Sequence, residues 1–401
     1  MKSITPALPS RVTTLLAGNI FFSGVTFAAT LSYAGIVAIE HLGISNAMYS
    51  VLLVASALVS AVASVVLGYF SDRVRDRRII ALGCAAAGAL GYGAVFFFRT
   101  AEVYTIVTCL LMPFGGAIYV QTFAYARAYY DRRAPARAEF MNQIMRTIFS
   151  VAWAVAPPIV GWVAATTDIF NVYAIAAVTF VICGAIFLAI PPEGTAASAS
   201  GEKPAVQRAE IDPVVIAGLA GVFLIFIANQ IYNVCVPLLV TTTLNGTLAD
   251  LGLFAGVAAA IEIPFMLLWG YALRWVGKHT VIVIAAVLYA IYLYCLSRAG
   301  GVTDILWLQL INGPATAALM SITISYMQDA VRNRVGLSTS LLDVIRVGSV
   351  IASAGIFALL TGSRPDYPGM FVVAAILAAL GAVTLLAAHR LMPARPAATS
   401  R

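Results

Sequence analysis

Apolar runs of about 20 residues recur along almost the whole chain, separated by short stretches that collect the charges. Wound as α-helices, runs of that length match the hydrocarbon thickness of a bilayer. Twelve spans are predicted, at 12–38, 47–70, 79–98, 103–126, 140–165 and 170–190, then 213–241, 249–273, 280–298, 304–329, 336–361 and 369–390. The first run is too long for the h-region of a signal peptide and reads as a retained span. The pattern predicts an all-α membrane protein with twelve transmembrane helices in two pseudo-symmetric six-helix bundles, 1–190 and 213–401, joined by a cytoplasmic linker over 191–212. That linker is rich in Ala, Ser, Glu and Pro, the composition of a flexible connection. The halves echo each other at an offset near 200: Gly68-Tyr69 and Gly270-Tyr271 end spans 2 and 8, and Arg146 and Arg346 sit early in spans 5 and 11. Parallel six-helix repeats suit a transporter that rocks its halves around a central site.

Polar residues inside the spans fall at helical spacing. Span 1 carries Asn19, Ser23, Thr26, Thr30 and Tyr33 on one face; span 5 carries Asn142, Arg146, Ser150 and Trp153. Span 7 offers Asn229, Tyr232 and Asn233 with Gln230 beside them, and span 10 offers Gln309, Asn312, Thr316 and Thr323. Span 11 offers Thr339, Asp343, Arg346, Ser349 and Ser353. Such faces should line a cavity or another helix. Ser and Thr often bond only their own backbone or a neighbouring helix, at about 0.6 kcal/mol per contact. The Asn, Gln and Tyr groups supply both donors and acceptors, as a hydroxyl-rich ligand needs. Pro113, Pro157, Pro158, Pro237, Pro264 and Pro314 are expected to interrupt or kink their helices.

The ionisable residues within spans constrain the reading further. A charge at the bilayer centre costs roughly 2.5–3.5 kcal/mol on the mild insertion scale, and a guanidinium cannot escape by losing its proton. Arg146, Arg346, Glu262 and Asp343 must therefore turn away from lipid. Glu262, in Ile261-Glu-Ile-Pro264, can be neutral when buried and charged beside a cation, which makes it a candidate proton carrier. Asp343 and Arg346 are three residues apart and can meet on one face, either as a static pair that locks span 11 or as part of the site.

Composition agrees with the pattern and excludes other classes. The chain is 61% hydrophobic and 10% charged, against about 25% charge in a soluble protein. Nineteen of its 24 Lys and Arg residues lie outside the spans on the side of the N-terminus, and only Arg99, Arg298 and Arg364 lie on the opposite side. The positive-inside rule then places both termini in the cytoplasm. The net charge of +7 forms no continuous patch on a soluble domain, so nucleic acid is not an expected partner. The five cysteines lie inside apolar runs without a CxxC pair, and the three histidines are scattered at run ends. No metal, no cofactor and no enzymatic machinery are expected from such a set.

The loop between spans 2 and 3 reads Gly68-Tyr-Phe-Ser-Asp72-Arg73-Val-Arg-Asp76-Arg77-Arg78. It resembles the loop signature of the major facilitator superfamily, in which a Gly ends helix 2 and an Asp-Arg pair precedes a basic cluster. The usual second Gly is missing and the loop is one residue longer, a form similar to that of the bacterial sugar efflux transporter family. Gln121 to Arg127, Met145-Arg146 with Ala152-Trp153 and Pro157-Pro158, and Glu262-Ile-Pro264 resemble the same branch, as do Asn229, Tyr232 and Pro237 in span 7 and Leu308-Gln-Leu with Asn312 in span 10. Asp343 and Arg346 depart from it.

The resemblance implies the major facilitator fold and export of small sugars or glycosides driven by inward proton flow. It implies a monomer in the bacterial inner membrane, with the lipid bilayer, protons and a small-molecule substrate as its partners. Substrate contacts are expected from Asn19, Gln121, Asn142, Arg146, Trp153, Asn229, Tyr232, Asn233, Gln309, Asn312 and Arg346. Proton coupling is expected at Glu262 and Asp343, and a cytoplasmic gate at Gly68, Asp72, Arg73, Arg77 and Arg78. The alternative is an exporter of drugs or other small amphipathic compounds, whose site would be dominated by aromatic groups such as Trp153, Tyr232 and Phe226.

Overall fold

A computed structural model describes residues 11–71, 74, 76–191, 213–330, 335–361 and 366–391. Among these the chain is helical throughout, with no strand. In chain order the helices are α1 (Arg11–Leu31), α2 (Ala34–Ile36), α3 (Asn46–Ser71), α4 (Arg78–Phe98), α5 (Ala101–Leu110), α6 (Met112–Gly116), α7 (Ile118–Arg133), α8 (Pro135–Thr166) and α9 (Asn171–Ala189). They continue as α10 (Pro213–Leu238), α11 (Leu248–Ala272), α12 (Lys278–Leu296), α13 (Val302–Ala330), α14 (Val335–Leu360) and α15 (Tyr367–Leu391).

Among the described residues ten spans, each contained in one helix or a helix with its π-turn, are long and apolar enough to cross a membrane. The pair Ala101–Leu110 and Met112–Arg133, bent by 45°, makes an eleventh span. α14 adds a shorter apolar segment, Val344–Leu360.

The bend in the fourth span has a local cause. Pro113 stands at the start of α6, where its missing N–H and its ring break the continuity with α5. The other prolines do not interrupt their helices. Pro157 and Pro158 remain inside α8, Pro237 inside α10, Pro264 inside α11 and Pro314 inside α13. Neighbouring groups in a membrane bundle satisfy the backbone atoms that proline frees. Side chains also reach the carbonyls of two of these prolines themselves: Thr241 Oγ1 donates to that of Pro237 at 3.1 Å, and Trp269 Nε1 to that of Pro314 at 2.8 Å.

By contacts the chain divides into two compact units. Unit 1 is Met1–Gly201 with Thr247–Gly256; unit 2 is Glu202–Gly246 with Val257–Arg401. The start of α11 thus clusters with unit 1, where its Leu248 carbonyl accepts from the Tyr33 hydroxyl at 3.1 Å. In unit 1, α1 packs against α8 and α9, and α4 packs against α9 and α6. Gly88 on α4 allows the contact with α9, because a Cβ there would fall 2.5 Å from the Phe180 ring. Phe180 in turn stacks on Tyr92, with ring centroids 5.5 Å apart. In unit 2, α10 and α12 both pack against α15, and α12 packs against α13.

The repeat foreseen in the sequence extends to backbone detail. A π-helical turn closes the first span at Val37–His41 and the seventh at Leu239–Thr243. Leu42 N bonds the Val37 carbonyl at 2.9 Å, and Leu244 N bonds that of Leu239 at 2.9 Å. Each turn is followed by a left-handed residue, Gly43 (φ 67°) in one half and Asn245 (φ 51°) in the other. Gly and Asn are the residues that enter this region at least cost.

Gly88→Val should lower the thermal midpoint in detergent, since overpacking a filled core costs about 1–3 kcal/mol. Gly83→Val, where nothing lies within 4 Å, is the matched control and should leave the midpoint nearly unchanged. Equal midpoints for the two variants would remove Gly88 from the account of α4–α9 packing.

Candidate substrate-binding faces

Most large exposed apolar side chains of the helices that carry Arg146, Arg346 and Glu262 lie on one side; Leu360, at the end of α14, instead falls about 40° from Arg346. On α8 these are Val151, Val155, Ile159 and Trp162; on α14, Val344, Ile351 and Leu359; on α11, Leu253, Leu267 and Tyr271. At about 100° per residue, Arg146, Arg346 and Glu262 each lie about 140–180° around their own helix from these side chains. All three are therefore turned away from the lipid-facing stripe, as the cost of a charge in hydrocarbon requires. The stripes of α8 and α14 repeat at the same spacing as the arginines, Val151 with Ile351 and Ile159 with Leu359. Both guanidiniums are open to solvent, and Glu262 is half-buried.

In unit 1, Arg146 lies within electrostatic range of Tyr119. Tyr119 belongs to an aromatic group drawn from α1, α7 and α8. Its ring centroid is 4.5 Å from that of Phe149, 4.8 Å from Phe123 and 6.4 Å from Phe27. Trp153 joins it at 6.3 Å from Phe149, and its indole Nε1 is buried without a hydrogen-bond partner. Asn142 is half-buried on the Arg146 side of α8. Gln121 is buried on α7, and its side-chain carbonyl meets no donor.

Asn19 has a different setting. It is fully buried; its Nδ2 donates to the Cys183 carbonyl at 3.0 Å, and its Oδ1 accepts from Thr122 at 2.9 Å. Thr26 meets Thr179 of α9 at 2.5 Å, and Thr30 bonds its own helix at the Thr26 carbonyl, 2.8 Å away. The polar face of the first span is a seam between helices, with its amide spent inside the bundle.

In unit 2 the structure joins four of the expected residues through two tyrosines of α12. Tyr289 donates to Asn229 Oδ1 at 3.2 Å, and the Tyr292 hydroxyl lies 3.4 Å from that of Tyr232. Gln309 Nε2 donates to Tyr292 at 3.2 Å and to the Ile305 carbonyl at 3.0 Å, while its Oε1 accepts from Asn312 at 2.8 Å. Glu262 lies within electrostatic range of Tyr232 at the end of this network. Asn233 stands apart, bonded to Gln230 one turn away at 3.3 Å. Asp343 lies on α14 one turn before Arg346; its side chain is outside the described residues.

Of the residues expected at the gate, Asp72 and Arg73 lie outside the described residues. Gly68 has nothing within 4 Å of where a Cβ would sit. Arg77 precedes α4 as its N-terminal flanking residue. Arg78 is held firmly within unit 1. Its Nε and Nη2 grip the Asp76 carboxylate at 3.0 and 2.7 Å, and its Nη1 reaches the Ile190 carbonyl at the end of α9 at 2.5 Å. At the opposite end of α4, Arg99 pairs with Asp168 at 2.8 Å and lies over the Phe170 ring at 5.0 Å. The α4–α9 pair is thus tied at both ends by an arginine.

These features define a polytopic α-helical membrane protein built from two repeats. The chain matches the Major Facilitator Superfamily model over residues 16–293 and 218–401, and it belongs to that superfamily. It is similar to sugar efflux transporter A of Dickeya chrysanthemi, 28% identical over 94% of this chain and 96% of that protein. Sugar efflux transporter B of Salmonella typhimurium is 28% identical over 83% of this chain and 85% of its own. Sugar efflux transporter C of Escherichia coli is 27% identical over 87% and 90%. Among solved structures, the nucleoside transporter NupG superposes with a TM-score of 0.75 at 13% identity, over 95% of this chain and all of that one. A POT family transporter in complex with 5-aminolevulinic acid gives a TM-score of 0.74 at 12% identity, over 94% and 96%. These structures share the fold.

The Asp76 carboxyl lies below the usual carboxylate range because the Arg78 side chain bonds it, with the Arg78 backbone N–H and charge adding to the effect against partial burial. A depressed folded-state value means that the contribution is present above the unfolded carboxylate pKa of about 3.9 and is lost as pH falls through the lower folded value. Asp76→Asn should remove that acid-side loss from the thermal midpoint of the detergent-solubilised protein. An unchanged acid slope would show that the Asp76–Arg78 pair carries none of it.

Proposed function

We propose that the chain is a secondary active transporter that exports small sugars or glycosides from the cytoplasm by proton antiport and alternating access. It acts as a monomer in the bacterial inner membrane, with both termini in the cytoplasm. The similarity to sugar efflux transporters over most of the length supports the substrate class. The observation that carries the mechanism is Glu262, a single carboxylate half-buried in mid-helix, turned from lipid and next to the tyrosine–amide network of unit 2. A carboxyl in that setting can take a proton when the network is empty and release it when a polar ligand binds.

Within this reading Asn142, Arg146 and Trp153 are the substrate-facing residues of unit 1, and Asn229, Tyr232, Asn233, Asn312 and Arg346 are those of unit 2. Trp153 offers an indole N–H that lacks a partner, and Gln121 a carbonyl that lacks a donor. Gln309 holds the network in shape, and Asn19 holds α1 to α9. Asp343 either fixes Arg346 or shares the proton traffic. The basic loop from Gly68 to Arg78 gates the cytoplasmic side, with Arg78 anchoring it to α9.

The aromatic group of Phe27, Tyr119, Phe123 and Phe149 beside Arg146 favours a second reading, export of amphipathic compounds. Thermal stabilisation separates the two. Sugars and glycosides should raise the midpoint of the purified protein while lipophilic dyes leave it unchanged; the reverse result selects the second reading. In sealed vesicles, Glu262→Gln should abolish efflux driven by an imposed pH gradient and leave counterflow exchange measurable. Undiminished gradient-driven efflux in that variant would remove Glu262 from coupling.

A further inference from the structure

We propose that the corner between α7 and α8 binds the headgroup of an anionic phospholipid. Four arginines, Arg127, Arg132, Arg133 and Arg137, lie within one short stretch, and all four are exposed. Two carboxylates accompany them in the sequence, Asp131, itself exposed and 3.7 Å from Arg127, and Glu139. The two helices meet at the one-residue break of Ala134 and pack on each other.

Their exposed apolar stripes run out into this cluster. On α7, Val120 is 59% exposed, and Arg127 lies about 20° around the helix from it, two turns along. On α8, Phe140 is 66% exposed and continues the stripe of Val151 and Val155, and Arg137 precedes it by one turn, about 60° away. The stripe of α8 and the exposed Val120 of α7, which would meet acyl chains, therefore each lie in line with a guanidinium where the headgroup would lie. The start of α8 adds to this potential: Pro135 opens it, no side chain caps it, and no acid stands in its first turn. The positive end of its dipole points into the same corner.

A solvated basic loop serving topology alone would need only charge. It would not need arginines aligned with apolar stripes on two adjacent helices. Guanidinium groups bind phosphodiesters through paired N–H bonds, and each basic residue near an anionic surface changes lipid affinity by about fivefold. The partner is thus an acyl-chain-bearing phosphodiester, held by its chains as well as by its charge.

Native mass spectrometry of the full-length protein, titrated with dioleoylphosphatidylglycerol or dioleoylphosphatidylcholine, tests this. The unaltered protein should retain the phosphatidylglycerol preferentially. The double variant Arg127→Gln with Arg137→Gln should lose about 25-fold of that preference, whereas the corresponding double Lys variant should keep most of it. Glycerol phosphate, which carries the charge without the chains, should not compete; effective competition would mean a soluble-anion site and overturn the proposal. Equal retention of the two lipids by the unaltered protein would overturn it, as would an undiminished preference in the Gln variant. If the Gln variant does not fold, phosphatidylglycerol with a photoreactive headgroup decides on the unaltered chain. Crosslinks within 127–140 support the site, and crosslinks confined elsewhere contradict it.

Discussion

The constraint on which the structure turns is that a guanidinium stays charged at any ordinary pH. Arg146 and Arg346 sit inside apolar helices, so each fixes the rotation of its helix about its own axis. The apolar side chains on the opposite side of α8 and α14 then become the surface offered to lipid. Glu262 obeys the same rule on α11. A carboxyl could have lost its charge in hydrocarbon, yet it too lies opposite the stripe of Leu253, Leu267 and Tyr271. The orientation of three helices follows from three residues, and the polar faces of both units follow from that orientation.

The rest of each unit serves to hold such helices at fixed rotation. In unit 1 the α4–α9 pair is closed by Gly88 against Phe180 and tied at its ends by Arg78 and Arg99. In unit 2 the buried tyrosines of α12 present hydroxyls to α10 and α13, so the polar residues of those helices are oriented by hydrogen bonds as well as by packing. In this network the Asn312 Oδ1 is buried with no donor, which leaves it open to a ligand hydroxyl, and one carboxylate at the edge can sense whether a ligand has replaced a bond.

Much of this was legible in the sequence. Length and spacing of apolar runs give the spans, and Arg146 with Arg346 gives the repeat. The π-turns and left-handed residues at Gly43 and Asn245 were not legible, because nothing in side-chain pattern distinguishes a π-turn from the α-helix it closes. The polar stripe of span 1 predicted a lined face but not its neighbour; α9 fills it, and Asn19 became a tie between helices. Tyr289 and Tyr292 were missed inside an apolar run. Their signal was available: two tyrosines three apart need partners for two buried hydroxyls. The prolines were only partly legible: Pro113 opens a new helix, whereas the others lie within continuous helices and interrupt none of them.

The most direct test of the central claim is the environment of the three ionisable positions. A nitroxide placed at Arg146, Glu262 or Arg346 in the reconstituted protein can be compared with one at Val155, Tyr271 or Leu359. Accessibility to a water-soluble nickel chelate should dominate at the first three, and accessibility to oxygen dissolved in the bilayer at the last three. Oxygen-dominated relaxation at 146, 262 and 346 would place these side chains in lipid and contradict the account.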